Sequence, residues 1–237
     1  MSGKKRGSSN RDAKALAAAF RASLPVMMGY GVLGFSFGLL AVSQGLAWYW
    51  PVLMSLLIYA GALQFLAIGM LQAKAGMIDL FVAAIFVNIR QAFYGLSLLT
   101  RFKKSGWAKP YLIFALTDET YALMTSIRPD PQLNRRRYDL YLALLDQSYW
   151  VVETAGGALF GSLVSFDTRG IDFALTALFV VLAMEQYRSR KRRAPFLIGA
   201  GASLAAMALV SADRMLIGAI VLALLGMGLF AKRIESE

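Results

Sequence analysis

Charged and strongly polar side chains interrupt the long apolar stretches of this sequence at a few positions. A charge at the centre of a bilayer costs about 2.5–3.5 kcal/mol by insertion scales, so it is retained where it faces a cavity or a partner. A carboxylic acid in such surroundings can carry a proton, and a guanidinium can bind a carboxylate with two donors. The pattern predicts an internal polar passage that binds a solute. Five clusters fit: Gln64; Asn88 with Arg90; Thr117, Asp118, Glu119 and Thr120; Asp146 with Gln147; and Glu153.

Asn88 and Arg90 are two residues apart, so a regular helix points them in different directions unless it is broken there. Arg90 has two open interpretations. It binds the carboxylate of a substrate, or it forms an internal ion pair. The candidate partners in the second case are Asp118, Glu119, Asp146 and Glu153.

Asp118 and Glu119 are adjacent, so at most one of them points straight into a given cavity. Thr117 or Thr120 could cap a helix that starts there. One interpretation is that a carboxyl group of this pair carries a proton and couples solute movement to a proton gradient. The alternative is that the segment lies near the membrane interface, where charge is tolerated.

Asp146 and Glu153 are seven residues apart, which places them on one helix face two turns apart. Gln147 and Tyr149 add to that polar face, which must turn inward. No stretch supplies the ligand spacing of a calcium loop. We therefore expect neither a metal nor a cofactor.

Apolar composition sets the fold class. Of the 237 residues, 58% are hydrophobic, and the mean hydropathy is +0.55; soluble domains are about 45–50% apolar. The excess is spread from Leu24 to Ala231, which excludes a soluble domain with one anchor. A span needs about 20 apolar residues. The prediction is an all-α polytopic membrane bundle of six to eight segments, some of them broken or re-entrant.

The predicted segments alternate with basic loops, which are expected on the cytoplasmic side together with both termini. If the short, polar segment Tyr111–Ile127 is re-entrant, one of the first three segments must be re-entrant as well. The segments are Leu24–Leu46, Pro51–Leu71, Met77–Thr100, Tyr111–Ile127, Tyr138–Phe166, Ile171–Tyr187, Phe196–Ala212 and Met215–Ala231.

Three regions are predicted along the chain. Residues 1–21 form a basic cytoplasmic tail without the features of a signal peptide, residues 22–232 form the membrane domain, and residues 233–237 form a short C-terminal tail. Within the first tail, Ala13–Phe20 is either a short helix on the membrane surface or the helical end of a disordered segment.

Glycines are concentrated in the first segment. They either let helices pack closely or break a helix so that its backbone lines a cavity. Gly34–Ala41 weakly resembles Gly157–Val164. The similarity is either an internal repeat, as in many transporters, or a chance likeness of two glycine-rich helices. The glycines assigned to packing or breaks are Gly29, Gly31, Gly34, Gly38 and Gly61.

Composition also narrows the function classes. The formal charge of +11 belongs to loops that flank membrane helices rather than to a nucleic-acid surface. The absence of Cys and His removes thiol chemistry and nearly every zinc site. No phosphate-binding G-x-x-x-x-G-K-[ST] motif occurs, so transport must draw on a gradient or on a separate protein.

Five stretches in this order resemble the AzlC family of bacterial membrane proteins. They are Leu24-Pro-Val with Gly29-Tyr30 and Gly34-x-x-Phe-Gly38; Met54-Ser55 with Tyr59-Ala-Gly-Ala-Leu-Gln-Phe65; Val87-Asn-Ile-Arg90; Leu116-Thr-Asp-Glu-Thr120; and Gly170-Ile-Asp-Phe-Ala-Leu-Thr-Ala-Leu-Phe179. One position departs from the pattern: Gln91 stands where family members usually carry His or another polar residue.

The resemblance implies a permease of the bacterial cell membrane that exports valine, leucine or isoleucine, and also methionine. It implies a small, separately encoded hydrophobic partner subunit of the AzlD type. It does not assign substrate contacts, so the site residues named above rest on the cost of polar groups in lipid. The other hypotheses are an intramembrane enzyme, for which no catalytic motif is present, a scaffold subunit, and a transporter of another small amphipathic solute.

Overall fold

The computed structural model describes residues 3–103, 105–164, 194–210 and 215–229, together with residues 180 and 184. Basic loop Arg188–Arg193, the stretch 170–179 and the C-terminal tail lie outside the described residues. The helices are α1 Gly3–Ser43, α2 Tyr49–Leu57, α3 Gly61–Gln72, α4 Met77–Phe102, α5 Lys109–Phe114, α6 Asp118–Ser126, α7 Arg135–Leu163, α8 Ala194–Leu209 and α9 Met215–Leu229, with a short 3₁₀ turn at Gly106–Ala108.

Two compact units divide the chain. The first contains residues 1–68 and 88–168, and the second contains residues 69–87 and 169–237. Within the second unit, α8 packs on α9, where glycines at 218 and 226 admit the side chains of Val210 and Ile198. All side chains discussed as a candidate site belong to the first unit.

Helices α1 and α7 form the centre of the first unit and run in the same direction. Along the pair, Ser23 contacts Tyr149, Tyr30 contacts Trp150, and Gly161 lies against Leu39. Glycines bring the two backbones together, because a Cβ at Gly38 would overlap the backbone of Thr154 and Ala158, and one at Gly157 would overlap Phe35. The two similar stretches, Gly34–Ala41 and Gly157–Val164, therefore pack on each other.

The glycine predictions have mixed outcomes. Helix α1 is continuous through Ser43, so the prediction that its glycines break the helix is wrong. Close packing holds for Gly34 and Gly38, whereas Gly29 and Gly31 have no described atom within 4 Å of an added Cβ. Gly61 follows a helix break, and a Cβ added to it would lie 3.1 Å from the Trp150 ring. Ala13–Phe20 is part of α1, which continues past residue 21. The cytoplasmic location of residues 1–21 stays a prediction.

Two predicted segments are broken. Pro51–Leu71, predicted as one span, is α2 and α3 separated at residues 58–60, where Tyr59 has a φ of +47°. Tyr111–Ile127 is likewise α5 and α6, separated at residues 115–117. Neither break contains a proline: residues 58–60 are Ile, Tyr and Ala, and residues 115–117 are Ala, Leu and Thr.

Segment Met77–Thr100 is confirmed as the unbroken α4, so the suggestion of a break at Asn88 and Arg90 is wrong. Asp12–Ser43 and Met77–Phe102 are each long and apolar enough to cross a membrane. If α1 and α7 both cross the membrane, their parallel direction requires an odd number of crossings between them. With α4 as one crossing, the two broken segments either both cross or are both re-entrant. The total of six to eight segments stays a prediction.

Candidate functional site

One face of α7 contacts both helix breaks. It carries Asp146, Gln147, Trp150 and Thr154, of which all but Gln147 are buried. Gln147 donates from Nε2 to the Leu56 carbonyl at 3.2 Å, a carbonyl that the break after α2 leaves without its helical donor. Its Oε1 accepts from the Tyr111 hydroxyl of α5 at 2.8 Å. Gln147 thus satisfies one backbone carbonyl that the first break sets free and bonds a side chain of α5 near the second.

A continuous row of oxygens joins two carboxyl groups beside the second break. The Tyr30 hydroxyl of α1 donates to Glu119 Oε2 at 2.9 Å and lies 2.9 Å from Thr117 Oγ1. Thr117 Oγ1 lies 3.2 Å from Thr120 Oγ1, which donates to Asp146 Oδ2 at 2.7 Å. We call these five residues the hydroxyl chain. It connects α1, the start of α6 and α7.

Local sequence explains how α6 presents these groups. Thr117 has an extended backbone, and its Oγ1 accepts the Thr120 amide at 3.3 Å, so it is the N-cap that the sequence suggested. Asp118 and Glu119 follow in the first turn, where the helix dipole favours negative charge. The cap thereby fixes two hydroxyls and two carboxylates around one helix start.

A second buried set of polar groups lies one turn further along α7. Trp150 Nε1 donates to Gln64 Oε1 at 3.0 Å, Gln64 Nε2 donates to Ser55 Oγ at 3.1 Å, and Ser55 Oγ donates to Thr154 Oγ1 at 3.0 Å. We call these four residues the amide network. It ties α2 and α3 to α7 across the first break. Gln64, fully buried, has both ends of its amide bonded.

Arg90 and Asp118 form an ion pair with a 2.8 Å separation, and both side chains are just over a third exposed. Tyr94 donates to the other oxygen of Asp118 at 2.7 Å. The ion-pair interpretation of Arg90 therefore describes the structure. A role for either residue in substrate binding stays a prediction.

The predicted site residues do not all meet. Glu119 and Asp146 are joined by the hydroxyl chain, whereas Gln64 belongs to the amide network and Arg90 with Asp118 forms a separate pair. Glu153 is half-buried beside Gly34, and Asn88 lies on another face of α4 than Arg90. Their roles in binding or coupling stay predictions.

Thr117 and Thr120 belong to a predicted cluster, but the sequence analysis missed three other hydroxyl groups that link these residues. Tyr30, Ser55 and Thr154 cost little in lipid, so a search for expensive side chains passes over them; Tyr30 stands in the Gly29-Tyr30 stretch but was not treated as functional. It also missed the buried Asp139, which forms a bidentate ion pair with Arg101. Arg101 additionally donates to the Met124 carbonyl at the end of α6.

Two buried oxygens beside the hydroxyl chain have no hydrogen-bond partner among the described residues: Asp146 Oδ1 and the Tyr59 hydroxyl. Asp146 is fully buried, and an unpaired buried carboxylate oxygen is costly. Within the described part of the chain, no group of three or more metal-binding side chains occurs. Both unpaired oxygens can accept a hydrogen bond from a polar solute at the breaks.

Comparisons with known proteins cover most of the chain. Residues 25–164 match a protein family described as AzlC protein. An uncharacterized membrane protein of Helicobacter pylori strain 26695 is 40% identical over 94% of this chain and 97% of its own length. The branched-chain amino acid transport protein AzlC of Bacillus subtilis strain 168 is 34% identical over 90% of this chain and 83% of its own. The inner membrane protein YgaZ of Escherichia coli K12 is 31% identical over 71% and 72%. No solved structure matches the chain.

Proposed function

This chain belongs to the AzlC family of membrane proteins, and from that premise we propose that it is a gradient-driven permease that exports branched-chain amino acids. Valine, leucine and isoleucine are the proposed substrates, with methionine as a further one of similar apolar side chain. The proposed location is the bacterial cell membrane, which the chain crosses several times. The relative from Bacillus subtilis, named for branched-chain amino acid transport, supports the substrate class.

The observation that carries the proposal is Asp146. Its carboxyl group is fully buried between two broken segments, with one oxygen bonded to Thr120 and the other unpaired in the described part of the chain. Buried, incompletely bonded ionisable groups in membrane helices mark solute and ion pathways. Broken helices at such a position are a common construction of transporter sites.

The two helix starts at the breaks complement the two charges of an amino acid. The start of α6 carries Asp118 and Glu119, which suit an ammonium group. The start of α3 has no acidic residue in its first turn, and Ala60 before it has no side-chain oxygen to cap it. Its first N–H groups, for which no hydrogen-bond partner occurs among the described residues, suit a carboxylate. Tyr59 and Phe114, whose ring centroids are 6.3 Å apart, bring the two breaks together and offer an apolar wall.

A small hydrophobic subunit of the AzlD type is the proposed partner. Exposed apolar side chains, which the described part of this chain leaves uncovered, support this proposal. One face of α4 exposes a row of large side chains to lipid or to another subunit: Met77, Ile78, Phe81, Ile85, Ile89, Phe93 and Leu96.

Efflux from loaded cells tests this function. Cells that lack their own branched-chain exporters are loaded with radiolabelled leucine and express this chain, the partner, both or neither. We expect the fastest leucine efflux with both subunits and none of labelled lysine, whose charged side chain does not suit an apolar wall. Asp146→Ala should reduce efflux to the level of empty cells, whereas Asp130→Ala, in an exposed loop, should not change it. No leucine efflux with both subunits present, or equal efflux of lysine, contradicts the proposal.

A further inference from the structure

The hydroxyl chain has one more hydrogen-bond link than it has hydroxyl hydrogens. Its four links run from Glu119 through Tyr30, Thr117 and Thr120 to Asp146. A hydroxyl donates one hydrogen and can accept on its oxygen. Three hydroxyls therefore supply three hydrogens to four links. If both carboxyl groups are ionised, Tyr30 and Thr120 donate outward, and Thr117 can serve only one of its two neighbours.

A single additional proton removes this defect, and it can do so in two ways. With the proton on Asp146, each group donates toward Glu119: Asp146 to Thr120, Thr120 to Thr117, Thr117 to Tyr30, and Tyr30 to Glu119. With the proton on Glu119, every link reverses. In each arrangement all four links contain one hydrogen, and the Thr120 amide still donates to Thr117.

We infer that Glu119 and Asp146 share one proton through Tyr30, Thr117 and Thr120, and that this proton is the one coupled to substrate transport. The inference rests on the proposed function for its coupling role. Passage from one arrangement to the other breaks the O–H bond of Asp146 and forms one on Glu119, while each hydroxyl gives its hydrogen forward and receives another from behind. No oxidant, reductant or additional group takes part.

Burial supports the assignment independently of the hydrogen count. Asp146 Oδ1 is unpaired in the described part of the chain, so an ionised Asp146 leaves a bare buried charge, and a proton on this residue reduces that cost. Glu119 is only half-buried. The chain thus connects a deeply buried carboxyl group to a more accessible one, as a proton path between a site and solvent requires.

Two ion pairs lie on the helices that carry the hydroxyl chain or on helix α4. Arg90 is paired with Asp118, and Arg101 is paired with Asp139. The titratable groups that face Asp146 besides Glu119 are tyrosines: Tyr30 of α1, Tyr59 between α2 and α3, Tyr111 of α5 and Tyr138 of α7 itself.

Reconstituted vesicles distinguish a proton path from a structural hydrogen bond. The full chain with its partner is assayed for leucine movement driven by a pH gradient, and for leucine exchange, which moves no net proton. Tyr30→Phe should reduce pH-driven movement to the level of protein-free vesicles and leave exchange intact. Tyr149→Phe, which removes another hydroxyl contact between α1 and α7, should leave both intact. Three results would overturn the inference: Tyr30→Phe retains leucine movement driven by the pH gradient, Tyr30→Phe loses both activities together, or a sodium gradient drives leucine movement instead of a proton gradient.

Infrared spectroscopy of the purified protein tests the shared proton without any transport substrate. A protonated carboxyl group gives a C=O band that shifts in D₂O. In Asp146→Asn the amide donates to Thr120 and supplies the missing hydrogen, so Glu119 should be ionised; in Glu119→Gln the same holds for Asp146. Each variant should lose the same band, and the double variant should lose no more, while Asp118→Asn keeps it. A band that persists in either single variant overturns the inference. If leucine does not move but both variants lose the band, the proposed function fails and the shared proton stands.

Discussion

The hydroxyl chain and the amide network meet α7 about one turn apart, at Asp146 and at Trp150, and both of these side chains are buried, yet the chemistry of the two networks differs. The amide network starts at the Trp150 indole, which can only donate, and continues through the amide N–H of Gln64. Its links therefore have one fixed direction. The hydroxyl chain ends on carboxyl groups at both sides and consists of hydroxyls, so its direction can reverse. Both networks contain buried hydrogen bonds. Only a network whose hydrogen-bond direction can reverse can conduct a proton, whereas one with a fixed direction serves to hold the helices together.

The close spacing between α1 and α7 supports both networks, so a change in that spacing should disrupt both of them. Gly38→Ala places a methyl group in the backbone of Thr154 and Ala158, and such overpacking destabilises by about 1–3 kcal/mol. We expect loss of folded protein and of transport, measured by thermal unfolding in detergent and by leucine efflux.

The matched control for that variant is Gly31→Ala on the same helix, where no described atom lies within 4 Å of the added methyl group. Replacing glycine by alanine in a helix there should stabilise by up to about 1 kcal/mol. Equal stability of the two variants would mean that close packing of α1 on α7 does not support the site.

Identical substitutions in the two networks sharpen the comparison. Thr120→Val removes the donor to Asp146, and Thr154→Val removes the acceptor of Ser55. Both leave a buried polar group unpaired and should lower the unfolding free energy by about 1–3 kcal/mol. Only Thr120→Val interrupts a reversible path, so only it should abolish pH-driven leucine transport per folded molecule. Equal transport by the two variants would erase the functional distinction.

The free-energy cost of each side chain in lipid decides how much of this arrangement the sequence predicts. Asp146 and Glu119 were found because a carboxyl group in an apolar segment is expensive. Tyr30, Thr117 and Thr120 complete the path between them. Of these, only Tyr30 is not predicted, because a hydroxyl in an apolar helix is ordinary. The unbroken α4 was predicted from its continuous apolar pattern. The sequence also suggests the helix start at Thr117, because threonine is a common N-cap. The break at Tyr59 is not predicted, since apolar residues continue through it.

The smallest expected effect on transport comes from a change in the amide network, whose hydrogen bonds run in one direction. Trp150→Phe removes the only donor to Gln64 Oε1 among the described residues and should lower the unfolding free energy by about 1–3 kcal/mol, because a buried carbonyl oxygen is left unpaired. Transport per folded molecule should keep its pH dependence, since no reversible link is touched. Trp107→Phe, at an 85% exposed position, should change neither quantity. A shifted pH profile in Trp150→Phe, with Trp107→Phe unchanged, would show that the indole influences proton movement, either through the amide network or through its edge contact with the Tyr30 ring, whose centroid lies 5.1 Å away.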